Sequence, residues 1–236
     1  MQKGKLYLIP VPLAEGAENL SYTLVHHDII NKISHYVVEN EKTARKFLKA
    51  AGLSIPQRDL VIYDYGKHAR EKMDYNEVFS CILAGQDLGL MSEAGCPAVA
   101  DPGSDVVTQA HKRGIQVVPM VGPSSILLAL MGSGFNGQKF TFHGYLPIDK
   151  SDRSRRVKEL EAQSLRERMT QIFIETPFRN NQLFNELLRI CKPNTRLCVA
   201  ANLTAANEYI DTKSIAEWKT QEIDLHKIPA IFLLFS

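Results

Sequence analysis

Leu90-Met91-Ser92-Glu93-Ala94-Gly95-Cys96-Pro97-Ala98-Val99-Ala100-Asp101-Pro102-Gly103 decides how the rest of this chain is read. An apolar strand runs into a loop of Gly, Ala and Pro that holds two carboxylates, Glu93 and Asp101. Ser104 and Asp105 then stand where they would cap the following helix. Small residues at the carboxyl end of a strand let backbone N–H and C=O groups come close to a ligand. The loop is neither a GxGxxG fingerprint nor a phosphate loop ending in Gly-Lys-Ser/Thr. On spacing alone, a plain strand–helix connection made of turn residues remains the alternative.

Short apolar runs and longer amphipathic stretches alternate on either side. Strands are expected at 6–10, 36–39, 60–63, 88–92 and 116–120, with helices at 20–32, 43–51, 76–83 and 105–113, where apolar residues recur at three- and four-residue steps. That rhythm predicts a mostly parallel sheet covered by helices, which binds ligands at the carboxyl ends of its strands. After Met120 the pattern changes: Val121-Gly122-Pro123-Ser124-Ser125 forms a turn before an apolar helix at 126–131, and either serine could cap it. Longer strands follow at 140–145, 170–175, 196–201, 208–211 and 228–235, with helices at 153–165 and 180–190. The expected fold class is therefore α/β, with two α/β domains and a ligand cleft between them. The first, 1–120, has a mostly parallel sheet and the second, 121–236, a mixed one.

Composition narrows the class without naming a ligand. The 236 residues are 44% hydrophobic and 23% charged, which excludes disordered and fibrous classes, and 28 basic against 26 acidic residues leave a net charge of +2. That balance does not announce a nucleic-acid binder, although a local patch could exist. Cys81, Cys96, Cys191 and Cys198 form no CxxC pair, so a reducing cytoplasm is expected rather than a disulfide framework. The apolar run that follows Met1 to Lys5 is cut by Pro10 and Pro12, too early for a secretory leader, and the last apolar run is too short to cross a membrane. His26, His27, His35, His68, His111, His143 and His226 have no metal-ligand spacing, and no metal is expected.

Five stretches, in order, resemble the tetrapyrrole methylase superfamily of S-adenosylmethionine-dependent methyltransferases, nearest its ribosomal RNA small subunit methyltransferase I branch. Gly4-Lys5-Leu6-Tyr7-Leu8-Ile9-Pro10-Val11-Pro12-Leu13 is similar to that family's first strand and proline turn. The Ser92 to Gly103 stretch is similar to its Ser-Asp-Ala-Gly-Thr-Pro-x-x-x-Asp-Pro-Gly loop, with Glu93 for Asp and Cys96 for Thr. Pro119-Met120-Val121-Gly122-Pro123-Ser124-Ser125, Phe140-Thr141-Phe142-His143-Gly144-Tyr145-Leu146-Pro147 and Phe173-Ile174-Glu175-Thr176-Pro177-Phe178-Arg179 supply the others. The resemblance implies 2′-O-ribose methylation of small-subunit rRNA by a cytoplasmic homodimer, with S-adenosylmethionine as methyl donor and no membrane association. By position it implies donor contacts at Pro12, Leu13, Gly95, Cys96, Val99, Ser124, Ser125 and Tyr145, and at Ala201, Asn202, Pro229 and Ala230 on the second domain.

A ribose hydroxyl is a weak nucleophile near neutral pH, so a general base or hydrogen-bond acceptor would help. Glu39, Glu93, Asp101 and Glu175 are the catalytic candidates. Asp101 also reads as a turn residue ahead of Pro102, and Glu175 as one half of an ion pair with Arg179. The basic run from Lys150 to Lys158 makes Arg153, Arg155, Arg156 and Lys158 the RNA-binding candidates, against the alternative of a solvated helix start. Two departures from the family bear on the acceptor. Asn40 stands where the family has Asp in Ala-Glu-Asp-Thr-Arg, with the Thr-Arg pair displaced, and Ala201-Asn202-Leu203-Thr204-Ala205 replaces Arg-Glu-Leu-Thr-Lys. They keep two other readings open: the same donor with a small-molecule or protein acceptor, or a donor-binding interaction module that has lost catalysis.

Overall fold

The computed structural model describes residues 3–67 and 69–236; His68 and the terminal pair Met1 and Gln2, all of which entered the sequence reading, lie outside the described residues. The chain divides into two compact units, one reaching to Ser124 and the other running from Ser125 to Ser236.

The first unit contains β1 (Leu6–Leu8), α1 (Glu18–Ser21), α2 (Leu24–Ile30), β2 (His35–Val38), α3 (Glu41–Ala50), β3 (Val61–Asp64), α4 (Tyr75–Val78), α5 (Ser80–Leu83), β4 (Leu88–Met91), α6 (Ser104–Lys112) and β5 (Val117–Pro119). Its sheet has the order β3-β2-β4-β1-β5, and every pairing is parallel. All four residues of β4 are buried, as a strand covered on both faces requires. One face packs Leu6, Leu88 and Leu90 against Phe79, Val106 and Ala110; the other packs Ile9, Tyr36 and Met91 against Ile30, Phe47 and Leu48. Gly89 is obligatory between them, because a Cβ there would stand 2.6 Å from the Tyr36 ring. The Tyr36 hydroxyl donates to the Ile30 carbonyl at 3.1 Å, which satisfies the polar end of this buried ring.

Two expected helices are each divided. The span 20–32 breaks after Ser21, and Thr23 starts α2 with a capping box closed by His26. The span 76–83 is interrupted at Phe79, which lies at φ −88° and ψ 1°. Helix α6 has Gly103 at its N-cap and no side-chain cap, so Ser104 and Asp105 do not play the expected capping role. Asp105 instead accepts a hydrogen bond from the Tyr65 hydroxyl at 3.3 Å.

The second unit contains α7 (Ser125–Ser133), β6 (Phe140–Tyr145), α8 (Lys150–Glu167), β7 (Thr170–Ile174), α9 (Asn180–Ile190), β8 (Arg196–Ala201), β9 (Tyr209–Ser214), α10 (Ile215–Trp218) and β10 (Ala230–Phe235). Its sheet, ordered β6-β7-β10-β8-β9, is mixed: β6 and β7 are parallel and the remaining pairs antiparallel. The core is one cluster around Phe173, Phe184, Trp218 and Phe232. The short helix α10, absent from the periodicity reading, opens on a capping box of Ser214 and Glu217.

Candidate active site

Three loops leave neighbouring carboxyl ends of the first sheet and are fastened to one another. Val11, after β1, and Gly95, after β4, exchange two backbone hydrogen bonds of 2.8 Å each. Gly95 lies at φ +71°, a conformation open to glycine, and a Cβ there would come within 3.3 Å of the Leu13 side chain. Both of its backbone groups are taken up by Val11, so it contributes close approach rather than a free donor. The loop after β5 joins through Cys96, whose thiol donates to the Pro123 carbonyl at 3.3 Å. Gly122 packs so tightly on Pro10 that a Cβ would stand 2.1 Å from the proline ring.

Beyond Cys96 the loop is conformationally taut. Ala98, Ala100 and Gly103 all have positive φ, at 67°, 60° and 132°. An L-residue in this region costs about 1–2 kcal/mol, and such strain gathers at functional sites. Val99 at the loop's tip is half exposed.

The same end of the sheet gathers three of the four candidate acids. The Glu93 N–H donates to a Glu39 carboxylate oxygen at 3.4 Å, and the Thr43 hydroxyl donates to Glu93 Oε1 at 3.3 Å. Burial, reinforced by the charges of Glu39 and Glu93 and opposed by a hydrogen bond from Ser92, pushes Asp101 up to about 6. Burial likewise raises Glu39, with the Glu93 N–H and the charge of Arg70 pulling the other way. Carboxylates that face one another disfavour full ionisation of the set, so Asp101 holds its proton more tightly than a free aspartate. Beside them lies a cavity of about 230 Å³ whose walls include Pro12, Leu13 and Phe47, with Glu18, Lys46 and Glu93 at its polar edge.

Asn40 is accounted for by local structure. Its side-chain oxygen caps α3, accepting from the N–H groups of Lys42 and Thr43 at 3.0 and 3.2 Å. Aspartate makes the same cap, so the change removes a charge and keeps the geometry. Asn202 has φ +49° and donates its N–H to the Pro229 carbonyl at 3.0 Å.

In the second unit, strand register puts Tyr145, Ala201 and Ala230 at one end of the sheet. Tyr145 pairs with Ile174 and Ala201 with Ala230, while Asn202 and Pro229 are joined by the bond just described. Ser125 opens α7, and both Ser124 and Ser125 are partly buried. Glu175, at the end of β7, is 5% exposed and held by the Thr176 N–H at 2.7 Å and the Arg179 guanidinium at 2.6 Å. That carboxylate is satisfied as an ion pair.

Helix α8 corrects one expectation outright. Arg153 is 2% exposed and its guanidinium meets Glu186 at 2.5 Å, so it cannot reach a phosphate. Arg155 is paired with Asp152 at 2.7 Å, and Arg156 with Glu159 at 3.2 Å and with His143 at 3.3 Å. Lys158 is exposed. Residues missed by sequence reasoning are Thr43 and Ser92, whose hydroxyls serve the acidic cluster; the displaced Thr43 was the available signal. Among the described residues, no group of His, Cys, Asp or Glu is arranged to hold a metal ion, and no helix is long and apolar enough to cross a membrane.

Comparison with known proteins bears on the five motifs. Ribosomal RNA small subunit methyltransferase I from Vibrio cholerae is 27% identical over 212 residues, covering 90% of this chain and 69% of that protein. The protein of the same name from Halalkalibacterium halodurans is 27% identical, covering 87% and 66%, and that from Bacillus subtilis 28%, covering 91% and 68%. The chain is similar to these rRNA methyltransferases over about nine tenths of its own length. It spans about two thirds of their length. No protein-family model matches it. Among solved structures, the methyltransferase CobJ superposes with a TM-score of 0.63 at 14% identity, covering 99% of this chain and 94% of that one. Uroporphyrin-III-C-methyltransferase from Thermus thermophilus gives 0.56 at 15%, covering 100% and 93%. At that identity the likeness is one of fold: two α/β units, the fold class that the resemblance implied. The similarity to rRNA methyltransferases agrees with the branch that the five motifs resemble.

Proposed function

We propose that this chain is an S-adenosylmethionine-dependent methyltransferase that modifies a ribose 2′-hydroxyl of small-subunit ribosomal RNA. The observation that carries the reading is the strand-end crown of the first unit. Three fastened loops and the acids Glu39, Glu93 and Asp101 meet there, in a chain similar over nine tenths of its length to small-subunit rRNA methyltransferases. A homodimer acting in the cytoplasm belongs to the same reading.

The residues suit the donor. Pro12, Leu13 and Phe47 give the cavity the apolar wall that an adenine needs, and Glu18 and Glu93 complement a sulfonium and an ammonium group. Pro12, Leu13, Gly95, Cys96 and Val99 would hold it on this unit. When bound, the donor supplies an electrophilic methyl group. The chain then has to align the acceptor, exclude water and take up a proton. Asp101 is the proton acceptor. A carboxylate near 6 is a stronger base than a free one near 4, yet it remains mostly ionised at neutral pH. Ser92 orients that carboxylate, while the charges of Glu39 and Glu93 keep its proton affinity high.

The test is transfer of a radiolabelled methyl group from S-adenosylmethionine to small ribosomal subunits that lack the modification, followed by nuclease digestion to locate the label. Label on a ribose 2′-oxygen is the expected result. Donor binding without transfer identifies an interaction module, and label in a protein or small molecule identifies a different acceptor.

A further inference from the structure

On α8, Arg153 is buried and Arg155 and Arg156 are paired, which leaves Lys158 exposed, whereas a group of exposed cations stands on the first unit. Among the described residues, Lys42, Lys67, Arg70 and Lys72 are exposed and none has a carboxylate within ion-pair distance. We propose that these four side chains, on the β2–β3 side of the first unit, hold the sugar–phosphate backbone of a single-stranded RNA acceptor; this rests on the reading given under Proposed function.

Their placement follows from the sheet. Strands β2 and β3 are parallel neighbours with Val38 opposite Asp64, and the Tyr65 N–H donates to the Val38 carbonyl at 2.7 Å. The loop after β3 therefore starts beside the residue that follows β2. Gly66 lies so near that a Cβ would stand 3.0 Å from the Glu39 carbonyl oxygen. From Gly66 the chain turns into a short 3₁₀ segment, Arg70–Lys72, with the N–H groups of Ala69 and Arg70 both donating to the Gly66 carbonyl at 3.0 Å. Arg70 is close enough for its charge to act on Glu39. Lys42, in the first turn of α3, follows Glu39 by three residues. The acids in this neighbourhood are mostly engaged: Asp64 accepts from the Gly66 N–H and Glu41 from Arg45, leaving Glu71 exposed.

Electrostatics requires such a rim. Glu39, Glu93 and Asp101 repel the phosphates on either side of any ribose brought to them. A polyanion can present a sugar hydroxyl there only if cations beside the cluster neutralise its backbone. With near-neutral charge overall, the attraction has to be local.

The test uses the whole chain and unmethylated small-subunit rRNA made by transcription. Binding is measured by filter retention over a salt series, donor affinity by calorimetry, and methyl transfer to small subunits in parallel. In the quadruple variant Lys42→Ala/Lys67→Ala/Arg70→Ala/Lys72→Ala, the slope of log affinity against log salt should fall by about 3, at roughly 0.7 per single-strand phosphate contact. KM for RNA should rise at least tenfold, with donor affinity kept. The loop variant Lys67→Glu/Lys72→Glu, confined to exposed positions, should shift the slope in the same direction, and Arg155→Ala/Lys158→Ala on α8 should leave it unchanged. An unchanged slope in the quadruple variant, or a loss confined to the α8 variant, overturns the proposal while wild-type methyl transfer leaves the function standing. Polyglutamate binding the rim as tightly as RNA at equal charge overturns it in favour of an acidic protein. If the wild type neither transfers methyl to subunits nor retains RNA, the functional reading itself fails and takes this surface with it.

Discussion

Acidic side chains meet opposite fates in the two units. In the second, Glu175 is met by Arg179 at 2.6 Å, Glu186 by Arg153 at 2.5 Å, and Glu161 by the Thr195 hydroxyl and the Lys192 N–H at 2.6 and 2.7 Å. In the first, Glu39, Glu93 and Asp101 have one another for neighbours, and burial together with the neighbouring carboxylates raises Glu39 and Asp101 above the ordinary carboxylate range. A carboxylate with a cation and hydrogen bonds is finished as structure. Carboxylates crowded together without a dedicated cation cost stability, and folds keep such arrangements where chemistry uses them.

The contrast can be broken first at Asp101. Asp101→Asn should lower kcat for methyl transfer by about 10²–10⁴-fold, the range for loss of a positioned base, with donor affinity within a few-fold of wild type. Parallel loss of donor binding would make Asp101 a structural turn residue instead. Arg153→Ala is the mirror experiment. Breaking a buried pair should cost about 3–5 kcal/mol in urea unfolding, because Glu186 is left buried with its charge uncompensated. RNA affinity at permissive temperature should not change. An unfolding midpoint close to wild type would remove the ion pair from the list of what holds the second unit together.

Titration sharpens the same comparison. Asp101 is raised above the ordinary carboxylate range, so kcat should rise with pH along a single limb centred near 6 and then level off, and Asp101→Asn should abolish that limb. The stability sign is fixed as well. A carboxyl whose folded pKa is raised adds stability below its unfolded pKa, and that contribution is lost as pH rises through about 6. At pH 8 the Asn variant should therefore unfold later than wild type, by about 1 kcal/mol, since partial solvent access screens the repulsion. A smaller effect is expected at Asn40. Asn40→Ala should cost about 1 kcal/mol through the lost α3 cap, and Asn40→Asp should recover it. If Asp also raises kcat markedly, the residue acts on the chemistry and not only on the helix.

Most of the framework was legible because apolar runs report burial directly. Each of the ten strands among the described residues overlaps an expected one; β6 and β8 have the expected ends, whereas β9, with its polar sequence, runs on to Ser214 past the expected 211. Helix continuity was less visible, because Thr23 and Phe79 interrupt stretches whose apolar spacing continues across the break. In contrast, α10 carried a readable Ser214-to-Glu217 capping signal that apolar periodicity over four residues could not amplify. The motif loops were legible as loops at strand ends. Which acid has which neighbour was legible only when the partner is close in sequence. Glu175 and Arg179 are four residues apart, whereas Arg153 finds Glu186 across two helices, 33 positions away. A run of cations therefore resembles a phosphate site in sequence, while packing gives Arg153, Arg155 and Arg156 carboxylate partners.

The paired hydrogen bonds between Val11 and Gly95 have a consequence in time as well as in space. They join segments 84 positions apart with the two-rung pattern of a strand pair, in a region where the chain is otherwise irregular. Drawing the two segments apart breaks both bonds at once. In hydrogen–deuterium exchange both should be lost together and slowly, as core strands are, against the rapid exchange usual for loops of this composition. The place where a substrate would be met would then keep its shape for as long as the sheet beneath it stays folded.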